Sequence, residues 1–214
     1  ALQKGDDISG SVYEVGYGSS SCLYSKAKGE LGMTPKTYKQ KGKDTLIAYT
    51  VTDSLLGKLL VAATEKGICA VRLGDTEQEL VETLGREFSN AELRRDDKEL
   101  ASYVKAIMDN LEGKLPHLDL PLDVKATAFQ KQVWQELQKI PYGETRSYSN
   151  VAKAIGQPSA VRAVATACAS NSVGIVIPCH RVIGANGALS GYRWGVERKR
   201  KLLEHEKPPV PDLQ

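Results

Sequence analysis

The chain has 214 residues, of which 41% are hydrophobic, and its formal net charge is +3. This length suffices for one large core or two small ones, whereas so small a net charge identifies no partner by itself. No apolar run approaches the roughly 18 residues that a membrane span needs and the first residues do not resemble a secretory signal, so we expect a cytoplasmic protein.

Residues 1–40 show the pattern of two short helices around a glycine turn. Gly16-Tyr17-Gly18 separates an apolar helical pattern from a serine run that can cap a second helix. Residues 11–21 and 31–38 resemble the second helix-turn-helix of AraC-type transcription regulators. A unit of this size cannot bury a core alone, so we interpret it as the remnant of a larger regulatory half, followed by a polar linker at 41–44.

Residues 45–118 read as strands and then helices. Three β-rich runs at 46–51, 57–63 and 67–73 are separated by turn residues, which predicts an antiparallel meander. Amphipathic patterns predict helices over 76–88 and 97–112. The proline-rich stretch at 115–123 cannot be helical, and we place a boundary there between an N-terminal subdomain (45–118) and a second domain (119–207). A disordered tail is expected at 208–214.

The second domain is predicted to be mostly helical. Thr127 can cap one helix, Ser147 or Ser149 a short helix over 148–155, and Ser159 an alanine-rich helix over 160–169. A Gly-Gln-Pro turn at 156–158 joins the last two, which is typical of a helix-turn-helix. Residues 124–206 carry twelve Lys and Arg against five Asp and Glu, net +7. This concentration of positive charge favours a polyanionic partner.

Residues 175–183 place Pro178, Cys179, His180 and Arg181 between two apolar β-branched runs. A thiol beside an imidazole is the minimum set for an activated sulfur nucleophile. A buried structural cysteine with a chance neighbour is the alternative, and these nine residues leave both interpretations open. No C-x-x-C pair is present, which argues against a zinc site or a disulfide framework. The four cysteines are Cys22, Cys69, Cys168 and Cys179.

Residues from about 45 to 206 resemble the O6-alkylguanine-DNA alkyltransferases, also called methylated-DNA–protein-cysteine methyltransferases. The matching motifs, in that family's order and spacing, are Ile-Pro-Cys-His-Arg-Val at 177–182, Gly-Glu-Thr at 143–145 followed by Ser147-Tyr148, Arg162-Ala163-Val164, Asn171, and Leu-Leu-Glu-His-Glu at 202–206. The resemblance implies an α/β (α+β) protein. Its N-terminal subdomain would be ribonuclease H-like with a three-stranded antiparallel sheet, and its second domain winged-helix-like.

The motif at 191–195 and the AraC-like segment are most similar to the bacterial adaptive-response members of that family. Those members also carry a zinc domain that accepts methyl groups from phosphotriesters. The zinc-binding cysteines and a first helix-turn-helix are not found in this sequence. The sequence of this chain therefore does not support phosphotriester repair or a complete activator role.

The resemblance implies DNA repair by irreversible, single-turnover transfer of an alkyl group from O6-alkylguanine, and from O4-alkylthymine, to Cys179. His180 would activate the thiol through one water and Glu206 would orient His180. Tyr148 would protonate the leaving oxygen, and Asn171 would hold the loop that presents Cys179. The partner would be double-stranded DNA, bound by a monomer without a cofactor or a metal.

The target base is stacked in a duplex, so the resemblance also implies that it is flipped out. Arg162 would enter the vacated space from the minor groove. The residues expected at the DNA are Thr145, Ser149, Ser159, Arg162, Ala163 and Ala167. Those expected to line the base pocket are Cys168, Val182, Tyr192, Arg193 and Trp194.

Three other functions are compatible with parts of this sequence. A Cys-His-Glu hydrolase would turn over repeatedly on esters or peptides. A lesion-binding protein without activity would lack the acceptor cysteine, so Cys179 argues against it. A methylation-responsive transcription regulator remains as an additional role, because of the AraC-like segment.

Overall fold

A computed structural model of the chain describes residues 45–207, so the predicted helix-turn-helix at 1–40, the linker and the tail lie outside the described residues. A short 3-10 turn at Cys179–Arg181 accompanies the regular elements. These elements are β1 (Leu46–Ser54), β2 (Gly57–Thr64), β3 (Gly67–Gly74), α1 (Glu77–Glu87), β4 (Glu92–Arg95), α2 (Ala101–Leu111), α3 (Ala128–Gln138), β5 (Arg146–Ser147), α4 (Tyr148–Ala154), α5 (Val161–Ala169), β6 (Val182–Ile183) and α6 (Val196–His205).

The mixed α/β architecture and the antiparallel β1–β2–β3 meander are confirmed. The prediction of a three-stranded sheet was wrong in one respect, because β4 adds a fourth strand parallel to β1, in the order β3-β2-β1-β4. The four residues of β4, Glu-Leu-Arg-Arg, are too few and too charged to show a strand pattern. The pairing with β1 is a tertiary contact that local sequence does not specify.

Helix α2 begins at Ala101, four residues later than predicted. The side chains of Asp96 and Asp97 accept hydrogen bonds in the turn before this helix. Asp96 Oδ1 accepts from the Glu99 backbone N–H (2.9 Å), and Asp97 Oδ1 accepts from Thr50 Oγ1 (2.7 Å). Short acidic side chains favour such turns over helix interiors. Thr76 caps α1 by accepting from the Glu79 N–H.

The helical second half follows the predicted caps with one exception. Thr127 and Gln130 form a capping box on α3, and Ser147 caps α4. Ser159 does not cap α5. The Ala160 N–H donates to Gln157 O (2.9 Å), which closes a turn over residues 157–160 and places Ala160 at the N-cap. A two-stranded parallel sheet of β5 and β6, not predicted, joins the start of α4 to the residues after Cys179.

The sheet and the helices share one core. The inner face of β2 and β3 packs with α2, α3, α5 and residues 173–182 in a continuous apolar cluster, while α1 covers the other face. Strand β3 also pairs with the chain before Cys179, since Val71 N–H donates to Ser172 O (2.9 Å) and Val71 O accepts from Gly174 N–H (3.2 Å). The sheet thereby supports the loop that carries the cysteine. None of the helices within 45–207 is long and apolar enough to cross a bilayer.

Candidate active site

Asn171 fixes the loop that leads to Cys179. Its side chain is 0% exposed, its Nδ2 donates to Ile177 O (2.9 Å), and its Oδ1 accepts from Val173 N–H (3.0 Å). The same Nδ2 lies 3.2 Å from Cys179 Sγ. One buried amide therefore satisfies two backbone groups of the loop and contacts the sulfur, which is the loop contact expected from the sequence.

The loop contains a residue in a costly backbone conformation. Ile175 has φ of 71°, in the left-handed region, and is buried. A β-branched residue there costs about 1–3 kcal/mol. The pairing of Val173 and Gly174 with β3 on one side, and the hydrogen bond of Asn171 to Ile177 on the other, hold it in place. Such strain is common where a side chain must be presented at a fixed position.

The Cys179 thiol is only 3% exposed. Burial raises its pKa, while the hydrogen bond from Asn171 and the charge of Lys199 act in the opposite direction and are smaller. The resting group is thus a neutral thiol, which is a poor nucleophile. Any reaction at this sulfur needs a base nearby.

His180 is paired with a carboxylate 26 residues later in the chain. Its Nε2 lies 2.8 Å from Glu206 Oε1, and both side chains are buried. Burial lowers the pKa of His180, and the pairing with Glu206 only partly offsets this. A neutral imidazole that donates from Nε2 carries its lone pair on Nδ1. Nδ1 is buried and has no hydrogen-bond partner among the described residues, so it is available as a base.

Arg181 holds Glu206 from the other side, a role that the sequence did not reveal. Its Nε donates to Glu206 Oε2 (2.9 Å) and its Nη2 to Oε1 (3.0 Å), while Nη1 donates to Ile140 O (2.8 Å). Burial raises the pKa of Glu206, but the hydrogen bonds from His180 and Arg181 outweigh burial and lower the pKa to about 2. The carboxylate therefore stays ionised. The available signal was a charge inside an apolar run, which must be paired when buried.

Lys199 is a second buried cation that the sequence did not single out. Its Nζ donates to Val182 O (2.6 Å) and Ser190 O (3.1 Å) and lies 5.9 Å from the centre of the Tyr148 ring. Burial lowers its pKa, and Cys179 and Cys168 act in the opposite direction. Nothing in the charged helix pattern of α6 distinguishes Lys199 from its exposed neighbours.

Tyr148 faces the loop that follows β6. Its hydroxyl accepts a hydrogen bond from Ser190 Oγ (3.2 Å), and burial raises its pKa. The phenol is therefore protonated and its own hydrogen remains free to be donated.

The residues predicted for a base pocket lie around Cys179. Tyr192 and Trp194 pack edge to face with ring centres 5.1 Å apart. The Trp194 ring packs directly on Gly174, because a Cβ atom at position 174 would lie only 2.6 Å from that ring. Arg193 ties this loop to the Asn171 carbonyl, through Nη1 at 3.2 Å. Cys168 and Val182 are buried in the same cluster as Cys179, and burial raises the pKa of Cys168 to about 12.

Comparison with known proteins matches both halves of the chain to domains of one family. Residues 47–124 match the ribonuclease-like domain of 6-O-methylguanine DNA methyltransferase, and residues 128–208 match the DNA binding domain of the same family. The inducible methylated-DNA–protein-cysteine methyltransferase of Bacillus subtilis is 45% identical over 148 residues, which are 69% of this chain and 83% of that protein. The chain belongs to the O6-methylguanine-DNA methyltransferase family.

Two further proteins are similar to larger parts of the chain. The bifunctional transcriptional activator/DNA repair enzyme Ada of Escherichia coli K12 is 46% identical over 206 residues, 96% of this chain. This chain spans only 58% of the length of that protein. The crystal structure of the O6-methylguanine methyltransferase of Mycobacterium tuberculosis superposes with a TM-score of 0.65 at 38% identity, covering 78% of this chain and 96% of that one.

The unit formed by α4 and α5 presents an exposed edge. Arg162, Ala163, Ser159 and Thr145 are exposed, whereas Ser149 is half-buried with its Oγ 2.9 Å from Ser147 Oγ. The prediction for the Ala167 side chain was wrong, as it is 1% exposed. With Val164 and Cys168 it forms the i, i+3, i+4 face of α5 that packs on the core.

In this methyltransferase family member, Glu206→Gln is expected to destabilise the fold in a pH-dependent way. The folded-state pKa of Glu206 is about 2 against an ordinary value of 4.5. Its charge therefore stabilises the folded state above that ordinary value, and the contribution is lost as the pH falls toward the folded-state pKa. A tenfold change in an ionisation constant corresponds to about 1.4 kcal/mol, so the contribution is about 3 kcal/mol.

Chemical denaturation of both proteins across the acidic range measures this effect. The difference in free energy of unfolding between wild type and Glu206→Gln should be largest above about pH 5 and shrink as the pH approaches about 2. Glu204→Gln, on the same helix but exposed, is the control. A difference between wild type and Glu206→Gln that stays constant over this range would contradict the pairing.

Proposed function

We propose that this chain repairs DNA by transferring an alkyl group from O6 of guanine to Cys179, where the group stays. The observation that carries the proposal is the buried Cys179 thiol next to His180, whose Nε2 is paired with Glu206 at the end of α6. A buried thiol, a neutral imidazole and an ionised carboxylate are the set required to generate a thiolate on demand. Membership of the methyltransferase family supports the same chemistry.

Activation begins with the proton of Cys179. His180 is the chain neighbour of Cys179, so a direct hydrogen bond between the two side chains is strained, and one water relays the proton from Sγ to Nδ1. The imidazolium that forms is stabilised by the carboxylate of Glu206 across 2.8 Å. Arg181 keeps that carboxylate ionised and fixed in place. The charge separation is therefore created only inside a site that is already organised to receive it.

Transfer is a displacement at the alkyl carbon. The thiolate of Cys179 forms a C–S bond while the C–O6 bond breaks, and the bonding electrons leave with the guanine. The Tyr148 hydroxyl donates a proton to the departing base, and the proton first taken from Cys179 restores the phenol through His180 and solvent. The products are S-alkylcysteine and guanine. The product is an alkyl thioether, whose C–S bond is stable because a thiolate is a poor leaving group, so each molecule acts once.

Access to the lesion requires that the base leave the stack. We place α5 in the minor groove, with Arg162 filling the space of the flipped base and Ala163 permitting close approach. Thr145, Ser149 and Ser159 would contact phosphates. The net charge of +7 over residues 124–206 supports a DNA partner. So does the M. tuberculosis OGT, solved in complex with DNA, which is 37% identical with a TM-score of 0.63 and covers 75% of this chain and 92% of that one.

The same site would accept O4-alkylthymine, which presents an alkyl group on an equivalent exocyclic oxygen. The protein would act as a monomer in the cytoplasm of a bacterium, associated with the nucleoid through DNA. A further role in methylation-responsive transcription is favoured by the similarity to Ada, which extends over 206 residues and so includes the AraC-like segment.

Titration with an excess of duplex containing O6-methylguanine tests the proposed function. The number of methyl groups transferred should rise to one per protein molecule and then stop, because the acceptor is consumed. Continued conversion beyond one equivalent would contradict the proposal and favour the Cys-His-Glu hydrolase.

A further inference from the structure

Arg198 connects helix α6 to two turns of the sheet. Its Nε donates to Leu56 O (2.8 Å) in the turn between β1 and β2, and its Nη2 donates to Asp75 Oδ1 (2.5 Å) just after β3. These two turns lie side by side, since a Cβ on Gly57 would be 2.6 Å from Gly74 O and 3.5 Å from Arg198 Nη2. One guanidinium therefore binds the sheet at two points, Leu56 and Asp75, which lie 19 positions apart in the sequence.

The same guanidinium holds the end of the loop at residues 189–194, the pocket loop, which carries Tyr192, Arg193 and Trp194. Arg198 Nη1 donates to Trp194 O (3.0 Å), immediately before Gly195, the N-cap of α6. The Trp194 ring packs on Gly174, in the loop before Cys179, and on Tyr192. A displacement of Trp194 would thus move the wall against which an alkylated base must rest. Arg198 itself is 20% exposed at its side chain and does not contact Cys179 or His180 through any hydrogen bond of the described residues.

We infer that Arg198 is a positioning residue for the base pocket: it locks the Trp194 end of the pocket loop to the sheet subdomain. The inference rests on the proposed function, because it concerns the substrate of that reaction. All five guanidinium N–H groups are in a fixed planar fork, so three of them binding three separate backbone or carboxylate acceptors set the loop in one orientation. A lysine at this position reaches fewer acceptors at once.

A positioning role and a purely stabilising role of Arg198 predict different rates for two reactions of Cys179. Iodoacetamide needs the Cys179 thiolate and access to the buried sulfur, but no contact with Trp194. O6-methylguanine in a single-stranded oligonucleotide also needs the pocket wall. A misplacement of about 1 Å in a substrate-positioning group can lower a rate by about 10²-fold. A loosened pocket loop should therefore slow the second reaction without slowing the first.

The experiment compares both rates in Arg198→Ala, Arg198→Lys and Asp75→Ala at a temperature where circular dichroism shows each variant to be folded. The peptide containing Cys179 is quantified by mass spectrometry after each reaction. Arg198→Ala should slow transfer from the oligonucleotide by about 10-fold or more while the iodoacetamide rate does not fall, and Arg198→Lys should recover part of the loss. Asp75 lies on the surface, so Asp75→Ala gives a smaller loss of the same kind even if Arg198→Ala fails to fold.

Arg200→Ala is the matched control, since Arg200 is exposed on the same helix and, among the residues from 45 to 207, pairs with Glu197 three positions earlier (2.8 Å). It should leave both rates unchanged. Equal losses in the two reactions, or no loss in folded Arg198→Ala and Asp75→Ala, would overturn the positioning role. A wild-type protein that reacts with iodoacetamide but not with O6-methylguanine would instead overturn the proposed function, and the positioning role with it.

Discussion

Cys179→Ser is expected to abolish methyl acceptance while leaving DNA binding intact. The serine hydroxyl is a far weaker acid than a thiol, so His180 cannot generate the oxyanion that would have to attack. We expect the rate of transfer to fall by on the order of 10⁴-fold or more. The substitution is nearly isosteric, and Asn171 Nδ2, now 3.2 Å from Sγ, can donate to the serine oxygen instead. The fold should therefore survive.

The measurement is the transfer of labelled methyl groups from duplex DNA, together with the affinity of each protein for the same duplex. Cys168→Ser is the matched control, because Cys168 is also buried beside the site but is not the proposed acceptor. It should retain transfer. Substantial acceptance by Cys179→Ser would show that another residue takes the alkyl group.

Arg162→Ala is expected to slow repair of duplex DNA by about 10²-fold, because unstacking and unpairing a base costs a few kcal/mol and the side chain that compensates is gone. Arg162 is exposed on α5 and its removal leaves the core untouched. Reaction with O6-methylguanine in a single strand should change little, since no partner base has to be left behind. The ratio of the two rates isolates the flipping step.

Lys153→Ala provides the comparison for charge alone. Lys153 is an exposed cation on the neighbouring helix α4. Its loss should weaken binding modestly and in a salt-dependent way, without separating the duplex rate from the single-strand rate. If Arg162→Ala slowed both substrates equally, Arg162 would be a phosphate contact rather than the residue that fills the duplex.

Elements that repeat a local pattern were predictable from the sequence. The alternation in β1 to β3 and the caps at Thr127 and Ser147 rest on interactions within a few residues, and the structure confirms them. Strand β4 and the β5–β6 pair were missed because they are too short to carry a pattern and exist only through pairing with distant chain. Ala167 was misassigned because helical phase, not residue size, decides which face of α5 meets the core.

The candidate site was likewise only partly predictable from the sequence. The Cys-His-Arg run and the carboxylate of Glu206 were recognised from their motifs, and the structure brings His180 and Glu206 to 2.8 Å. The roles of Arg181, Lys199 and Arg198 were not recognised, because their partners are mostly backbone carbonyls. The partner of Arg198 Nε, Leu56 O, lies 142 residues away in the chain. Backbone acceptors leave no trace in the side-chain sequence. Only the rule that a buried charge must be paired draws attention to such residues.

The most direct test is the mass of the protein after reaction with duplex DNA containing O6-methylguanine. Replacing a thiol hydrogen by a methyl group adds one CH₂, about 14 Da, to the sulfur nucleophile. The account predicts this gain once per molecule, located on the peptide that contains Cys179, at any excess of DNA. A methyl group on a different residue, or full repair of excess DNA by a protein of unchanged mass, would contradict it.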